Sequence, residues 1–190
     1  SIGEGDELRL EPAGRSVRVR SVQVHECDVE RAESGQRVAV SLPGVERTDL
    51  GRGDALVSPG AYPTSYRLDV VLDELEPISA DARLQVHAGT AHTVARVVRV
   101  GDRFAQLRLS DPIVAARGDR VILRDGTTVG GGTVLDPAPP RHRDATRMEL
   151  LERGDVAATI SAPVLVESLR YVLDGEPEGI AKITIARPEV

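Results

Sequence analysis

The chain has 190 residues and a formal net charge of −6, with 24 arginines and lysines against 30 aspartates and glutamates. That length supports one large or two small domains with real cores, and the acidic balance excludes a global basic field, so any RNA contact must be a local patch. One cysteine, Cys27, excludes an internal disulfide framework and a multi-cysteine zinc site, and no stretch approaches a membrane span.

Apolar content rests on Val, Leu, Ala and Ile, with one Phe, three Tyr and no Trp, which suits β-structure better than helix packing. Lys182 is the only lysine; the arginine bias fits either GC-rich codons or a phosphate-reading surface. The opening, SIGEGDELRLEPAG, lacks a secretory signal and starts abruptly in a turn, so a fragment with a reducing, cytoplasmic setting is expected. Up to Pro139, β-prone runs are separated by Gly, Pro, Asp and Ser at regular spacing. The predicted strands are 7–11, 15–25, 36–42, 54–58, 65–75, 82–88, 90–100, 104–109, 119–124 and 128–135. Ten strands exceed one small barrel, and the turn-rich segment 58–64 (SPGAYPT) divides them into four and six. The expected fold is mainly β: two small antiparallel β-barrels in series, followed by a short helical, winged-helix-like segment. The expected domains are 1–61, 62–137 and 138–190.

Within 15–25, Val17 and Val19 are odd-numbered while Val22 and Val24 are even, so a bulge near Arg20 and Ser21 is expected to keep all four on the core face. Within 90–100, Val94, Val98 and Val100 alternate but Val97 does not, which predicts strong curvature. Residues 124–136, RDGTTVGGGTVLD, carry three consecutive glycines. A phosphate-cradling loop would lead into a helix, whereas Thr133, Val134 and Leu135 continue a strand that Asp136-Pro137 ends. The glycines are therefore expected to permit a bulge or a close backbone approach. Beyond the linker 136–140, residues 147–153 have helical spacing and stop at Gly154. Ser161 suits the N-cap of a second helix, and 180–186 alternates like a strand. Arg-Gly-Asp recurs at 52–54, 117–119 and 153–155, a pattern of turn chemistry.

Two stretches are more specific: VQVHECDVERAESGQRVAVSLPGVERTDLGRGDALVSPG, residues 22–60, and GDRVILRDGTTVGGGTVLDPAPPRH, residues 118–142. The first resembles the second domain of elongation factor Tu and its relatives, and the second resembles the closing hairpin of that family's third domain. His25 in VQVH, Arg37 in GQRVAV, the HAGTAH stretch and the ending VLDPAPPRH make the chain most similar to the selenocysteine-specific elongation factors, the SelB family. The tail is similar only in position to the winged-helix region of that family.

The resemblance implies a module that holds the aminoacyl end and T-stem of selenocysteinyl-tRNA for delivery to the ribosome. It also implies an mRNA hairpin as partner of the full protein's C-terminal region. It places Gln23 and His25 at the terminal adenosine and aminoacyl ester. Arg37, where elongation factor Tu has an asparagine, is implied to select selenocysteine, because an ionised selenol would give a charge-assisted contact that a serine hydroxyl cannot match. The T-stem contact falls on the turn Arg124, Asp125 and Gly126, and more weakly on His87, Arg96 and Arg99. Asp111 lies near a place where elongation factor Tu carries a basic residue, which would confine the grip to the Arg124 turn. Taken alone, Arg37 equally suits a salt bridge to Glu26 or Asp28, His25 a surface role, and His25 with Cys27 half a metal site. With no Walker loop, Ser/His/Asp arrangement or metal-ligand cluster, the chain is expected to be no enzyme and to hold no cofactor; GTP and Mg would belong to a G domain outside it. The rival expectation is a protein-interaction β-barrel of a translational GTPase without direct RNA contact, suggested by the acidic charge and the scarcity of aromatic stacking residues.

Overall fold

The computed structural model describes residues 1–154. The helix expected at Ser161, the strand expected at 180–186 and the winged-helix expectation for the tail lie outside the described residues. Among the described residues no helix is long and apolar enough to cross a membrane. The chain separates into two compact units, one of Ser1–Tyr62 and one beginning at Pro63.

In the first unit, short antiparallel strands form three small sheets. β1 (Ile2–Gly3) pairs with the later β6 (Arg31–Ala32). β2 (Glu7–Glu11) lies between β3 (Arg15–Arg18) and β8 (Ala55–Val57), and β4 (Ser21–Val24) lies between β5 (Cys27–Val29) and β7 (Val38–Ser41). The strand expected over 15–25 is thus two strands in different sheets, with Val19 and Arg20 at the corner. Backbone bonds hold that corner: Val19 N–H donates to the Asp6 carbonyl at 3.0 Å, the Val19 carbonyl accepts from the Gly5 amide at 2.9 Å, and Arg20 N–H donates to the Ser41 carbonyl at 2.9 Å. The parity change does its expected work, since Val17, Val19 and Val22 are all buried in one core with Leu10 and Leu56. The same corner interrupts the ladder, so residues 1–61 form three sheets around a shared core where a closed barrel was expected.

The second unit contains a closed barrel. Its strands are β9 (Thr64–Glu74), β10 (Arg83–Ala88), β11 (Ala91–Val100), β12 (Phe104–Val114), β13 (Arg120–Asp125) and β14 (Thr127–Asp136). They run in the order β10-β11-β12-β9-β14-β13, all antiparallel, and closure leaves no free edge. β12 outlasts its expected end at Leu109 by passing through a register shift between Arg108 and Ile113. Leu68, Val70, Val86, Val97, Leu107 and Leu123 fill the interior. Val97 is 0% exposed and Val94 43%, so the odd positions of β11 up to Val97 face inward. Val98 and Val100 are buried on the opposite face, where Val100 packs with Phe104, Leu135, Met148 and Leu151. The parity break therefore records a strand whose last residues are apolar on both sides.

The three glycines of β14 are needed for close backbone approach. A Cβ on Gly130 would stand 2.7 Å from the Asp73 carbonyl oxygen of β9, and one on Gly131 would stand 2.6 Å from that of Val121 in β13. Gly132 is crowded by the Val71 carbonyl in the same way. Neighbouring backbones press on β14 from both sides, and none of the three glycines adopts a positive φ.

After β14 the chain crosses the outer barrel wall and forms α1 (Ala145–Arg153). Asp144 caps its N-terminus by accepting from the Thr146 and Arg147 amides, and Gly154, at φ 72°, closes its C-terminus in the left-handed conformation. Met148 and Leu151 seal the outer apolar cluster. Beside them Arg147 is buried between two carboxylates: its Nη1 donates to Asp69 Oδ2 at 3.0 Å and its Nη2 donates to Asp136 Oδ2. Gln106 Nε2 donates both to Asp69 Oδ1 at 3.1 Å and to the Pro140 carbonyl at 3.0 Å. Burial pushes the Asp69 carboxyl up to about 7, with the like charge of Asp136 adding to it against the Gln106 and Arg147 bonds. Burial also raises Asp136.

We expect Gly131→Ala to force the Val121 carbonyl aside and to destabilise the barrel by about 1–3 kcal/mol, measured by chemical denaturation. The Asp69 carboxyl gives a second test. Between its ordinary 3.8 and its folded value of about 7, the native state holds a proton that the unfolded chain has released. Its contribution to stability is therefore complete below that window and falls as pH rises through it. The stability of wild type relative to Asp69→Asn should decline from about pH 4 to about pH 7; a pH-independent difference would contradict the assignment.

Candidate functional site

On the first unit, the β4–β7 ladder gathers the three residues expected at the aminoacyl end. Gln23 pairs with Ala39 and Val24 with Val38, so His25 and Arg37 are the next residue on each strand, just past the end of the ladder. Val22, Val24, Val38 and Val40 belong to the core, which leaves Gln23 and Ala39 on the solvent face. Gln23 Nε2 donates to Asp28 Oδ1 at 2.9 Å on the neighbouring β5. His25 is no strand residue: with Glu26 it forms the two-residue turn between β4 and β5, at φ 50° and 65°. Two positive φ values make this the primed hairpin turn that suits strand twist, here built without glycine. Both side chains are exposed.

Arg37 is exposed and makes no hydrogen bond or ion pair among the described residues. The salt bridge to Glu26 or Asp28 does not form; the Asp28 carboxylate accepts from Gln23 instead. Cys27 is exposed, and among the described residues no three His, Cys, Asp or Glu side chains gather to hold a metal ion.

On the second unit, Arg124, Asp125 and Gly126 form the tip between β13 and β14, with Gly126 at φ 69° and all three exposed. Arg124 Nη2 donates to the Gly126 carbonyl at 3.5 Å. Arg124 pairs across the sheet with Gln85, two residues from His87 on β10. The His87 ring stacks on His92 with centroids 6.0 Å apart, and its buried Nε2 has no hydrogen-bond partner among the described residues. Arg96 forms an exposed ion pair with Asp81 at 2.8 Å. Arg99 is engaged within the barrel, ion-paired with Glu74 at 2.9 Å and donating to the Asp102 carbonyl. Asp111 is tied to Thr93, whose Oγ1 donates to Asp111 Oδ2 at 3.0 Å. The Arg-Gly-Asp turns at 52–54 and 117–119 have structural uses: Asp54 accepts from the Gly51 amide and Asp119 from that of Ala116.

The register also aligns residues that sequence reasoning passed over. Arg83 pairs with Arg96, Arg96 with Arg108, and Arg108 with Arg67, across β10, β11, β12 and β9. Directly paired residues share a face, and the flanking Leu84, Ala95, Leu107 and Leu68 point inward, so the four arginines stand on the outer wall. Each strand contributes one residue to it, so only the strand order and register reveal the row.

A six-stranded barrel of this connectivity, extended by a first unit of small sheets, is a translation-elongation-factor architecture. The crystal structure of a bacterial selenocysteine-specific elongation factor, EF-Sec, superposes with a TM-score of 0.71 and 26% identity, covering 85% of this chain and 27% of that one. Residues 65–141 match the family model described as the selenocysteine-specific elongation factor, β-barrel domain. The selenocysteine-specific elongation factor of Escherichia coli strain K12 is 31% identical over 142 residues, covering 73% of this chain and 23% of its own length. That of Desulfomicrobium baculatum is 29% identical over 182 residues, covering 87% and 28%. Through this barrel the chain belongs to the selenocysteine-specific elongation factor family. It spans about a quarter of the length of those relatives.

The His25–Glu26 turn yields a local test. A non-glycine residue in the left-handed region costs roughly 1–2 kcal/mol, and the second turn position favours glycine. Glu26→Gly should therefore stabilise the first unit by up to about 1 kcal/mol in thermal denaturation.

Proposed function

We propose that this chain is the tRNA-binding region of a selenocysteine-specific elongation factor, holding the aminoacyl end and T-stem of selenocysteinyl-tRNA for delivery to the ribosome in the cytoplasm. Residues 1–61 act as the second-domain module, residues 62–137 as the third, and residues 138–190 lead into a C-terminal region that reads an mRNA hairpin. In this reading the full protein is a GTPase whose G domain holds GTP and Mg, and this chain performs no chemistry itself. The observation that carries it is Arg37: an exposed guanidinium without an acidic partner among the described residues, one position beyond the ladder that also presents Gln23 and His25. A guanidinium kept free of carboxylates is available to an anion, and the selenolate of selenocysteine supplies one where serine cannot. The Arg124–Gly126 tip supports the T-stem assignment, since an exposed arginine and a glycine turn can approach phosphate and ribose without reading bases.

One observation favours a second reading, a protein-docking barrel: Val94 and Ile122 are 43% and 48% exposed on the outer wall. The salt dependence of RNA binding separates the two, because phosphate contacts weaken steeply with salt and apolar docking does not.

We expect the full-length factor in its GTP form to bind selenocysteinyl-tRNA more tightly than the seryl form, by an amount worth about 1–4 kcal/mol, and Arg37→Ala to remove most of that preference. Equal affinities for the two aminoacyl forms, untouched by the substitution, would refute the role of Arg37.

A further inference from the structure

The outer wall of the barrel carries like charges in the arrangement a sheet least favours. Arg83, Arg96, Arg108 and Arg67 stand directly opposite one another on four consecutive strands. Like charges in that relation destabilise a sheet. The partners present offset little of this: Arg96 has an exposed aspartate, Arg67 donates from Nε to the Pro139 carbonyl at 3.2 Å, and Arg108 donates to Gln106 Oε1 at 3.3 Å. Arg83 is exposed and makes no hydrogen bond or ion pair among the described residues. Arg141 and Arg143, just past β14, add to the same field. Desolvation, followed by the charges of Arg143, Arg96, Arg141 and Arg67, holds the Arg108 guanidinium below its ordinary value.

We infer that this arginine row is a track for the phosphodiester backbone of RNA, which extends the contact surface from the Arg124–Gly126 tip around the barrel wall to Arg141 and Arg143. Several features point to a nucleic-acid backbone. Strands lie about 4.8 Å apart, so the four arginines span about 14 Å across the wall, which suits an extended polyanion. The guanidinium fork binds phosphate oxygens bidentately, and the row contains no lysine. It begins on β10, where Gln85 pairs with Arg124, so the row and the tip lie along one face. No base-reading chemistry is required, since such contacts position an RNA without specifying its sequence.

The track presupposes the tRNA-binding function proposed above, and one titration separates the two. Full-length factor in the GTP form is titrated with selenocysteinyl-tRNA from about 50 to about 200 mM salt, as wild type, as Arg37→Ala, and as the triple variant Arg83→Gln, Arg96→Gln, Arg108→Gln. Three lost contacts should lower the slope of log affinity against log salt by about 2.1 to 2.7, which shrinks the salt-induced loss over that range by about 20- to 40-fold. Arg37→Ala should keep the wild-type slope. The triple variant should also keep or raise its thermal midpoint, because opposed like charges are removed, and this separates lost binding from misfolding. A folded triple variant with unchanged affinity and slope overturns the track alone, leaving tRNA binding intact. Wild type that binds no tRNA overturns both. Displacement of the tRNA by poly-glutamate at equal charge concentration would reassign the row to an acidic protein and also overturn it.

Discussion

A guanidinium taken out of water between two carboxylates is costly unless every charge finds a partner, and removing any member leaves the others exposed to the full cost of burial. Arg147 with Asp69 and Asp136 is such a cluster, and it determines how the chain leaves the barrel. Asp69 belongs to the first barrel strand and Asp136 to the last, so the helix residue that joins them also ties the two ends of the barrel together. Gln106 extends the cluster to the Pro140 carbonyl and so fastens the segment between barrel and helix. Arg117 completes the attachment by donating to the Leu151 carbonyl in the last turn of α1. The Pro139 and Pro140 carbonyls are therefore held against the barrel wall by Arg67 and Gln106, within a segment whose prolines read in sequence as a linker.

That difference shows what was legible. β2 and the strands of the barrel follow from local chemistry: alternating Val and Leu bounded by Gly, Asp and Pro place them within a residue or two, apart from the continuation of β12. Helix α1 was visible in the spacing of Met148 and Leu151 and in Gly154, and its Asp144 cap extends it by two residues. The two-residue strands β1 and β6 escaped notice because too few residues alternate to give a period, and β5 because the turn before it contains neither glycine nor asparagine. Asp69, Asp136 and Arg147 could not be associated from sequence, since nothing local pairs residues 78 positions apart. The arginine row was hidden for the same reason.

The candidate sites divide similarly. The family resemblance singled out Gln23, His25 and Arg37, and register sets them at one end of one small sheet. Whether Arg37 was internally paired depended on where the Asp28 carboxylate turned, which the cross-strand bond from Gln23 decides. The acidic total conceals two arrangements of opposite sense: carboxylates buried as partners on one row of the outer wall, and exposed or half-buried arginines on the next. Net charge alone would have argued against a polyanion partner, whereas charge sorted by strand position argues for one.

Barrel closure has a consequence for synthesis. β9 emerges first and pairs on one side with β14, which emerges last, so no partial chain can complete the ladder. Pairings between ends so distant in sequence are slow to form, and unpaired edges invite association with other chains. Until the ribosome has passed Asp136, the growing barrel is an open sheet exposing one side of β9. The glycine-bearing strand is then the last to insert, into a gap too narrow for side chains, and ends the interval in which the nascent chain is vulnerable.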